Sequence, residues 1–268
     1  MKRVISLLTI VVFISIFMTS VYAKTNVIKL ATTTSVYDSG LLDYIIPKYE
    51  KISKNKVMIM SVGSGQAKKL LENGDVDIIL IHEKDFMEEL KDKSIINEYK
   101  DIFYNKFILV GPKGYEKYFT KSKTINDCFK AIYKNNINFL TRADNSGTYM
   151  KELEIWNEIK INPNFKNYIK TGQGMGMTLL MADEKKAFTL TDNATFYSML
   201  DKFKNLKIYY DNSNDKILKN VYSTAYRKDD IKAKSLYNWL TSDKLKVYLN
   251  YFNKKTYKKE VFISVLSK

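Results

Sequence analysis

Four short segments rich in glycine and hydroxyl side chains carry most of the chemistry that this sequence offers. They are residues 32–35 (Thr-Thr-Thr-Ser), 62–66 (Val-Gly-Ser-Gly-Gln), 141–148 (Thr-Arg-Ala-Asp-Asn-Ser-Gly-Thr) and 171–176 (Thr-Gly-Gln-Gly-Met-Gly). Each segment follows a predicted strand and precedes a predicted helix, where unpaired backbone N–H groups and the positive end of the helix dipole face outwards. Glycine lets backbone approach a ligand closely, and hydroxyl groups add donors. The four loops therefore predict a cradle for a small oxyanion.

Helix capping is the simpler interpretation of each loop. Ser, Thr and Asp commonly accept a hydrogen bond from the first turn of a helix, and one such residue per helix is enough. A run such as residues 32–35 supplies more hydroxyl groups than a cap needs, and the pattern recurs in one chain. We therefore favour one anion site built from several loops over a set of separate caps.

Arg142 is the only charged donor in these loops. Its planar guanidinium can direct several N–H groups at the oxygens of an anion, and the alternative is a surface ion pair with Asp144 or Glu152. Asp144 could orient Arg142, cap the following helix or face the ligand. If Asp144 faced the ligand, its carboxylate would accept a proton from hydrogen phosphate and would repel a fully deprotonated dianion. The sequence leaves these roles of Asp144 open.

The rare residue types exclude several other kinds of site. The chain has one cysteine, Cys128, so no intramolecular disulfide can form, and with one histidine, His82, a protein-built zinc site is not expected. A formal charge of +15 permits anionic partners but does not choose among them. Tyr and Lys interleave over residues 248–259, but no nucleic-acid-binding motif accompanies them, and we expect no nucleic acid partner.

Alternating strands and helices must position these loops. Hydrophobic periodicity predicts β-α-β-α-β-α-β from residue 26 to residue 110, and the same style resumes after the turn-rich segment 111–114. Such alternation predicts an α/β fold with mostly parallel sheets, helices on both faces, and ligand loops at the carboxyl ends of strands. A late strand and two C-terminal helices are predicted to return to the first lobe. The predicted lobes are residues 24–111 with 216–268, and residues 112–215.

The first residues have the pattern of an export signal. Lys2 and Arg3 precede an almost uninterrupted apolar run over residues 4–21, and Val21-Tyr22-Ala23 fits a signal-peptidase site. Residues 1–23 are therefore predicted to be a signal peptide cleaved after Ala23. The alternative is an N-terminal membrane anchor, because about 18 apolar residues can just span a bilayer. We favour the cleaved signal, which places the mature protein in the periplasm.

Together with their neighbours, the loops resemble a known family, the extracytoplasmic tungstate-binding proteins of ABC uptake systems. The segments that carry the resemblance are residues 32–35 with 38–43, 62–67, 142–148 and 172–176. The first pair is fairly specific to that family, whereas the stretch at 142–148 is shared with phosphate-binding proteins. The resemblance implies a type II periplasmic-binding-protein fold, in which two α/β lobes close on a ligand in the cleft between them.

The resemblance also implies which residues bind the ligand and what the protein does. The implied oxyanion ligands are Thr33, Thr34, Ser35, Ser64, Gly65, Arg142, Ser146, Gly147 and Thr148. The implied function is capture of tungstate, or of molybdate, and delivery to an ABC permease in the inner membrane, by a monomer without catalytic activity, cofactor or metal cation. Tungstate and molybdate have nearly the same radius and charge, so only the resemblance favours tungstate. Which threonine of residues 32–34 points inwards is left open.

Other functions stay open on the sequence alone. A phosphate- or sulfate-binding protein would share the fold and the arginine loop. A secreted hydrolase would need a nucleophile, and Gly63-Ser64-Gly65 is too short a match to a nucleophile elbow. The single histidine, His82, is expected to be a structural or surface residue.

Overall fold

Strands and helices alternate along the chain in the computed structural model, which describes residues 26–144, 146–212 and 215–266. The strands in these ranges are β1 (Val27–Thr33), β2 (Lys56–Val62), β3 (Ile78–Ile81), β4 (Lys100–Pro112), β5 (Phe139–Thr141), β6 (Tyr168–Lys170), β7 (Thr189–Asp192), β8 (Leu206–Tyr210), β9 (Lys219–Tyr226) and β10 (Ile263–Ser264). The α-helices are α1 (Thr34–Asp38), α2 (Leu41–Ser53), α3 (Ser64–Asn73), α4 (Lys84–Asp92), α5 (Ile125–Lys134), α6 (Gly147–Glu158), α7 (Met175–Lys185), α8 (Asn193–Ser198), α9 (Ile231–Leu240) and α10 (Asp243–Phe252). Short 3₁₀ turns lie at Glu116–Tyr118, Leu200–Lys202 and Lys216–Leu218, and a π-turn lies at Asn253–Tyr257.

Helix α2 shows how the apolar spacing determines an element. Its buried residues are Leu41, Leu42, Ile45, Ile46 and Tyr49, which recur at helical spacing and form one face. The helix ends at Lys54, which adopts a left-handed backbone conformation (φ 61°). The buried face packs α2 into one of the hydrophobic clusters of the protein.

The strands form a large sheet, with the order β10-β4-β9-β3-β1-β2, and a small sheet of β5 and β6. Strand β1 runs parallel to β2 and β3, and β5 runs parallel to β6. The other five pairings between these strands are antiparallel. The prediction of mostly parallel sheets is therefore wrong for the described strands. The reason is that β4 carries the chain out of the first lobe and β9 carries it back, so the two run in opposite directions.

Strand β4 is shared between two packed bodies. Its residues 100–106 pair with β9, and its residues 107–112 pair with β7 and β8. Two hydrophobic clusters consist of residues from the segments 28–103 and 222–266. Ala194 and Tyr197 of α8 are the only members of these clusters from outside the two segments. All residues of two further clusters lie within residues 107–218. This is the two-lobed α/β architecture that the resemblance implied.

The position of the lobe boundaries at 111/112 and 215/216 stays a prediction. Gly111 and Pro112, which the sequence marked as a break, are the last residues of β4. The change of partners along β4 favours a crossing between Lys106 and Phe107, a few residues earlier.

The proposed signal sequence lies outside the described residues. Among the residues that are described, no helix combines the length and apolarity needed to cross a membrane.

Candidate anion-binding site

The first loop follows β1 and places three neighbouring hydroxyl groups differently. Thr32 donates its hydroxyl to the Leu80 carbonyl at 2.8 Å, within the sheet. Thr33 and Ser35 are 3% and 2% exposed, and their hydroxyl oxygens lie 3.1 Å apart. Thr34 begins α1 and is partly buried. Because the Thr32 hydroxyl is already committed to the sheet, Thr33, Thr34 and Ser35 are the residues of this loop that can offer hydroxyl groups to a ligand.

The second loop lies beside the first, because β2 pairs in parallel with β1 in a register that places Val62 opposite Thr33. Ser64 is the first residue of α3 and is fully buried, and its hydroxyl oxygen has no hydrogen-bond partner. Gly65 is partly buried. A buried polar group without a partner costs about 1–3 kcal/mol. Such a group calls for a partner, and a bound oxyanion would provide one.

The capping interpretation holds for one of the anion loops and fails for the others. Ser146 caps α6, because its hydroxyl accepts a hydrogen bond from the Tyr149 N–H at 3.3 Å. The capping positions of α1, α3 and α7 are Thr33, Gly63 and Gly174, and none of them makes a side-chain capping bond. The hydroxyl group of Thr33 is therefore not used to cap the helix that follows it.

Buried Arg142 and partly buried Asp144 form an ion pair at the start of the third loop. Asp144 Oδ2 accepts hydrogen bonds from Arg142 Nε at 3.1 Å and Nη2 at 2.5 Å, and Asp144 Oδ1 accepts the Ser146 N–H at 3.2 Å. The Arg142 side chain is 5% exposed. Asp144 thus orients Arg142, and the Nη1 end of the guanidinium is left to reach a ligand. The other partner considered, Glu152, instead accepts hydrogen bonds from Trp156 Nε1 and the Tyr168 hydroxyl.

Loops from the two lobes face each other across the cleft. A Cβ placed on Gly174 would lie 4.0 Å from the Thr34 side chain, and one on Gly176 would lie 3.5 Å from Asp38 Oδ2. The positive charge of Arg142 acts on Asp38, where burial raises the pKa of the carboxyl and Arg142 and Lys202 lower it. The remaining predicted ligands of the third loop, Ser146, Gly147 and Thr148, are buried. The structure therefore brings the first, third and fourth loops to one region between the lobes, with the second loop adjoining the first.

A buried polar network supports the first loop, and the sequence analysis missed its members. Asn105 donates to Asp192 Oδ1 at 2.9 Å, Asn220 donates to Asn105 Oδ1 at 2.7 Å, and Asn220 also donates to the Tyr222 hydroxyl at 2.9 Å. The Tyr222 hydroxyl lies 3.2 Å from Ser35 Oγ. Burial raises the pKa of Asp192, while hydrogen bonds from Thr195 and Asn105 lower it. The network joins β7 of the second lobe to the anion loop of the first.

The sequence pattern distinguished one member of this network, Asp192, and none of the others. Asp192 ends a strand that leads into a helix, which is the same position that identified the four loops. Asn105, Asn220 and Tyr222 lie inside β4 and β9, where nothing in the local pattern distinguishes them. Within the described residues, no group of three or more His, Cys, Asp or Glu side chains could hold a metal ion.

Comparison with known proteins shows similarity over most of the chain. A family model described as a PBP superfamily domain matches residues 20–252. The tungstate-binding protein TupA of Peptoclostridium acidaminophilum is 38% identical over 214 residues, which cover 74% of this chain and 74% of that protein. The crystal structure of the tungstate ABC transporter from Geobacter sulfurreducens has a TM-score of 0.71 at 34% identity, over 83% of this chain and 93% of that one. The tungstate-binding protein TupA from Desulfovibrio alaskensis G20 has a TM-score of 0.74 at 30% identity, over 90% of this chain and all of that one.

Proposed function

This chain belongs to the PBP superfamily, in the family of tungstate-binding proteins, and we propose that it captures tungstate outside the cytoplasm and delivers it to an ABC permease. The observation that carries the proposal is the set of buried hydroxyl groups and the single buried arginine that two lobes bring to one cleft. Thr33, Ser35, Ser64 and Arg142 are each at most 4% exposed. We further propose that the protein acts as a monomer, without catalysis, after a signal peptide is removed behind Ala23.

The donors suit a doubly negative tetrahedral anion. Neutral hydroxyl and N–H dipoles from both lobes replace the water around the anion without needing a buried counter-charge for each ligand charge. Arg142 supplies the one positive charge of these loops. Because donors come from both lobes, ligand binding and closure of the cleft are a single equilibrium.

The position of Asp144 favours a fully deprotonated ligand. Its two carboxylate oxygens are occupied by Arg142 and by the Ser146 N–H. The carboxylate is therefore not presented to the ligand as an acceptor for the proton of hydrogen phosphate. This argues for tungstate, molybdate or sulfate over phosphate, and we propose that the smaller size of sulfate distinguishes it from the two larger anions.

Competition calorimetry on the mature protein tests the proposal. We expect tungstate to bind most tightly, molybdate to bind more weakly or nearly as tightly, and sulfate and phosphate to bind far more weakly. Tungstate at a hundred times its Kd would stabilise the fold by about 2.7 kcal/mol, which a thermal-shift assay detects. Phosphate binding as tightly as tungstate, or no response to any of the four anions, would contradict the proposal.

Ser64→Ala is expected to weaken tungstate binding by roughly tenfold to a hundredfold, because one hydrogen bond to a charged group contributes about 1.5–3 kcal/mol. The free protein should be as stable as before or slightly more so, since a buried hydroxyl without a partner is removed. Calorimetry gives the affinity, and urea unfolding gives the stability.

Thr32→Val is the matched control for that variant. It removes a buried hydroxyl that is bonded to the Leu80 carbonyl and not offered to the cleft. We expect it to lower stability by about 1 kcal/mol and to leave the tungstate affinity unchanged. Equal losses of affinity in both variants would remove Ser64 from the site.

A further inference from the structure

The second lobe touches the first at a glycine that has no room for a side chain. Gly147 is the first residue of α6 and follows the cap Ser146. A Cβ added there would overlap the ring of His82 and the carboxylate of Glu83, and would lie 2.5 Å from His82 Nδ1. Real Cβ atoms do not approach side-chain atoms this closely, so the contact exists only because residue 147 is glycine.

His82 and Glu83 are fixed in the first lobe, directly after β3. The His82 ring is 4% exposed and packs at 5.1 Å from the Tyr222 ring and 6.1 Å from the Phe107 ring. Glu83 Oε1 lies 3.7 Å from His82 Nδ1 and is the more exposed of the two side chains, at 22%. Tyr222, behind the histidine, also contacts Ser35 of the first anion loop. The pair thus adjoins the polar network that supports the ligand site.

We propose that His82 and Glu83 are positioning residues for oxyanion binding, which form a seat in the first lobe for Gly147 when the cleft closes. The proposal rests on the function proposed above. The amino end of α6, with its N–H groups, reaches its place over the first lobe only if Gly147 settles against these two side chains. A seat of this kind determines how far the lobes close, and so where the donors of the third loop meet a ligand held by the first.

The seat is mostly uncharged in the closed cleft at mildly acidic pH, between the pKa values of its two members. Burial, together with the positive charges of Arg142 and Lys151, lowers the pKa of His82 to about 3, and a hydrogen bond with Asn220 opposes the shift. Burial raises the pKa of Glu83, Lys151 opposes the rise, and Asp85 and Glu154 add to it, which together place this pKa at about 7. When Gly147 moves away, both groups regain water, and their pKa values return towards the ordinary 6.5 and 4.5.

His82 and Glu83 change the free energy of cleft closure with pH in opposite directions. The closed form binds fewer protons at His82 between pH 3 and 6.5, so His82 disfavours closure as the pH falls through this window. The closed form binds more protons at Glu83 between pH 4.5 and 7, so Glu83 favours closure as the pH falls through that window. In the native protein the two effects largely cancel, and we expect an affinity that changes only about two- to threefold from pH 8 to pH 6.

Gly147→Ala is the first test, with tungstate affinity measured by calorimetry and melting temperature measured without ligand. We expect about a tenfold to hundredfold loss of affinity, because one methyl group overpacks the contact. The melting temperature of the free protein should stay close to native, since the clash arises between lobes that can separate. Thr32→Val, described above, is the control, because it alters a buried residue whose hydroxyl is bonded within the sheet and not offered to the cleft.

The triple variant Gly147→Ala, His82→Ala, Glu83→Ala tests the steric cause. Removing the two side chains makes room for the methyl group but also removes the seat, so the affinity should rise above that of Gly147→Ala and stay below the native value. If Gly147→Ala binds tungstate like the native protein, or if the triple variant remains as weak as the single one, the seat is wrong. If the native protein binds no tungstate at all, the proposed function fails instead.

The pH profiles of two single variants test the positioning role independently of packing, with molybdate as the probe. From pH 8 to pH 6, Glu83→Gln should lose about fourfold in affinity because only His82 then titrates, and His82→Gln should gain about tenfold because only Glu83 does. Profiles that stay parallel to that of the native protein would overturn the assignment.

Discussion

Arg142→Ala is expected to reduce tungstate affinity by at least about a hundredfold while the chain stays folded. The variant removes the only positive charge of the four loops, and charge-assisted hydrogen bonds contribute about 1.5–3 kcal/mol each. It also leaves the Asp144 carboxylate without the guanidinium that neutralises it, beside a doubly negative ligand. Calorimetry with tungstate measures the loss.

Arg227→Ala serves as the control for the loss of an arginine. Arg227 Nη1 donates to the Leu71 and Glu72 carbonyls at the end of α3, outside the four loops. We expect it to lower the melting temperature and to leave the affinity unchanged. Arg142→Lys should bind tungstate more tightly than Arg142→Ala but less tightly than the native protein. A lysine ammonium group lacks the planar, forked N–H groups with which a guanidinium can bond Asp144 and a ligand together. Unchanged affinity in Arg142→Ala would remove this residue from the site.

Gly111→Ala is expected to lower the free energy of unfolding by about 1–3 kcal/mol or more, which is the range for overpacking a core. Gly111 lies in β4, paired with Lys207 of β8, and a Cβ there would lie 2.6 Å from Phe188 Cζ. Phe188 cannot move aside easily, because the rings of Phe119 and Tyr209 pack at 5.0 Å and 4.8 Å from it. Urea unfolding followed by circular dichroism measures the change.

Gly65→Ala is the matched control for this prediction. Its Cβ would lie 3.8 Å from Phe86 Cε2, an ordinary van der Waals distance, and alanine is the better helix former in α3. Stability should therefore stay the same or rise slightly. If both glycine variants unfold at the native urea concentration, Gly111 is not held by Phe188 as described.

Local patterns in the sequence predicted elements of the fold and the loops of the site. The spacing of Leu41, Leu42, Ile45, Ile46 and Tyr49 predicted a helix, and these residues form the buried face of α2. Hydroxyl and glycine runs after strands predicted loops that the structure brings to the cleft, because the carboxyl end of a strand is a position that the local sequence reveals. The identity of the ligand came from family resemblance, not from these patterns.

Pairing between distant segments could not be predicted in the same way. The sequence suggested mostly parallel sheets, whereas β4 and β9 cross between the lobes in opposite directions and pair antiparallel. The direction of a crossing strand depends on where the chain returns, and residues within the strand do not encode that direction.

By itself, the sequence determined the α/β alternation, the oxyanion chemistry of the loops and the small number of residues able to carry it, because each follows from neighbours along the chain. Only the tertiary structure decided that Asp144 orients Arg142, that Ser64 lacks a partner, and that Gly147 lies against His82 and Glu83. These contacts depend on atomic distances and on burial between segments that meet only when the lobes pack, and no periodicity or motif records them.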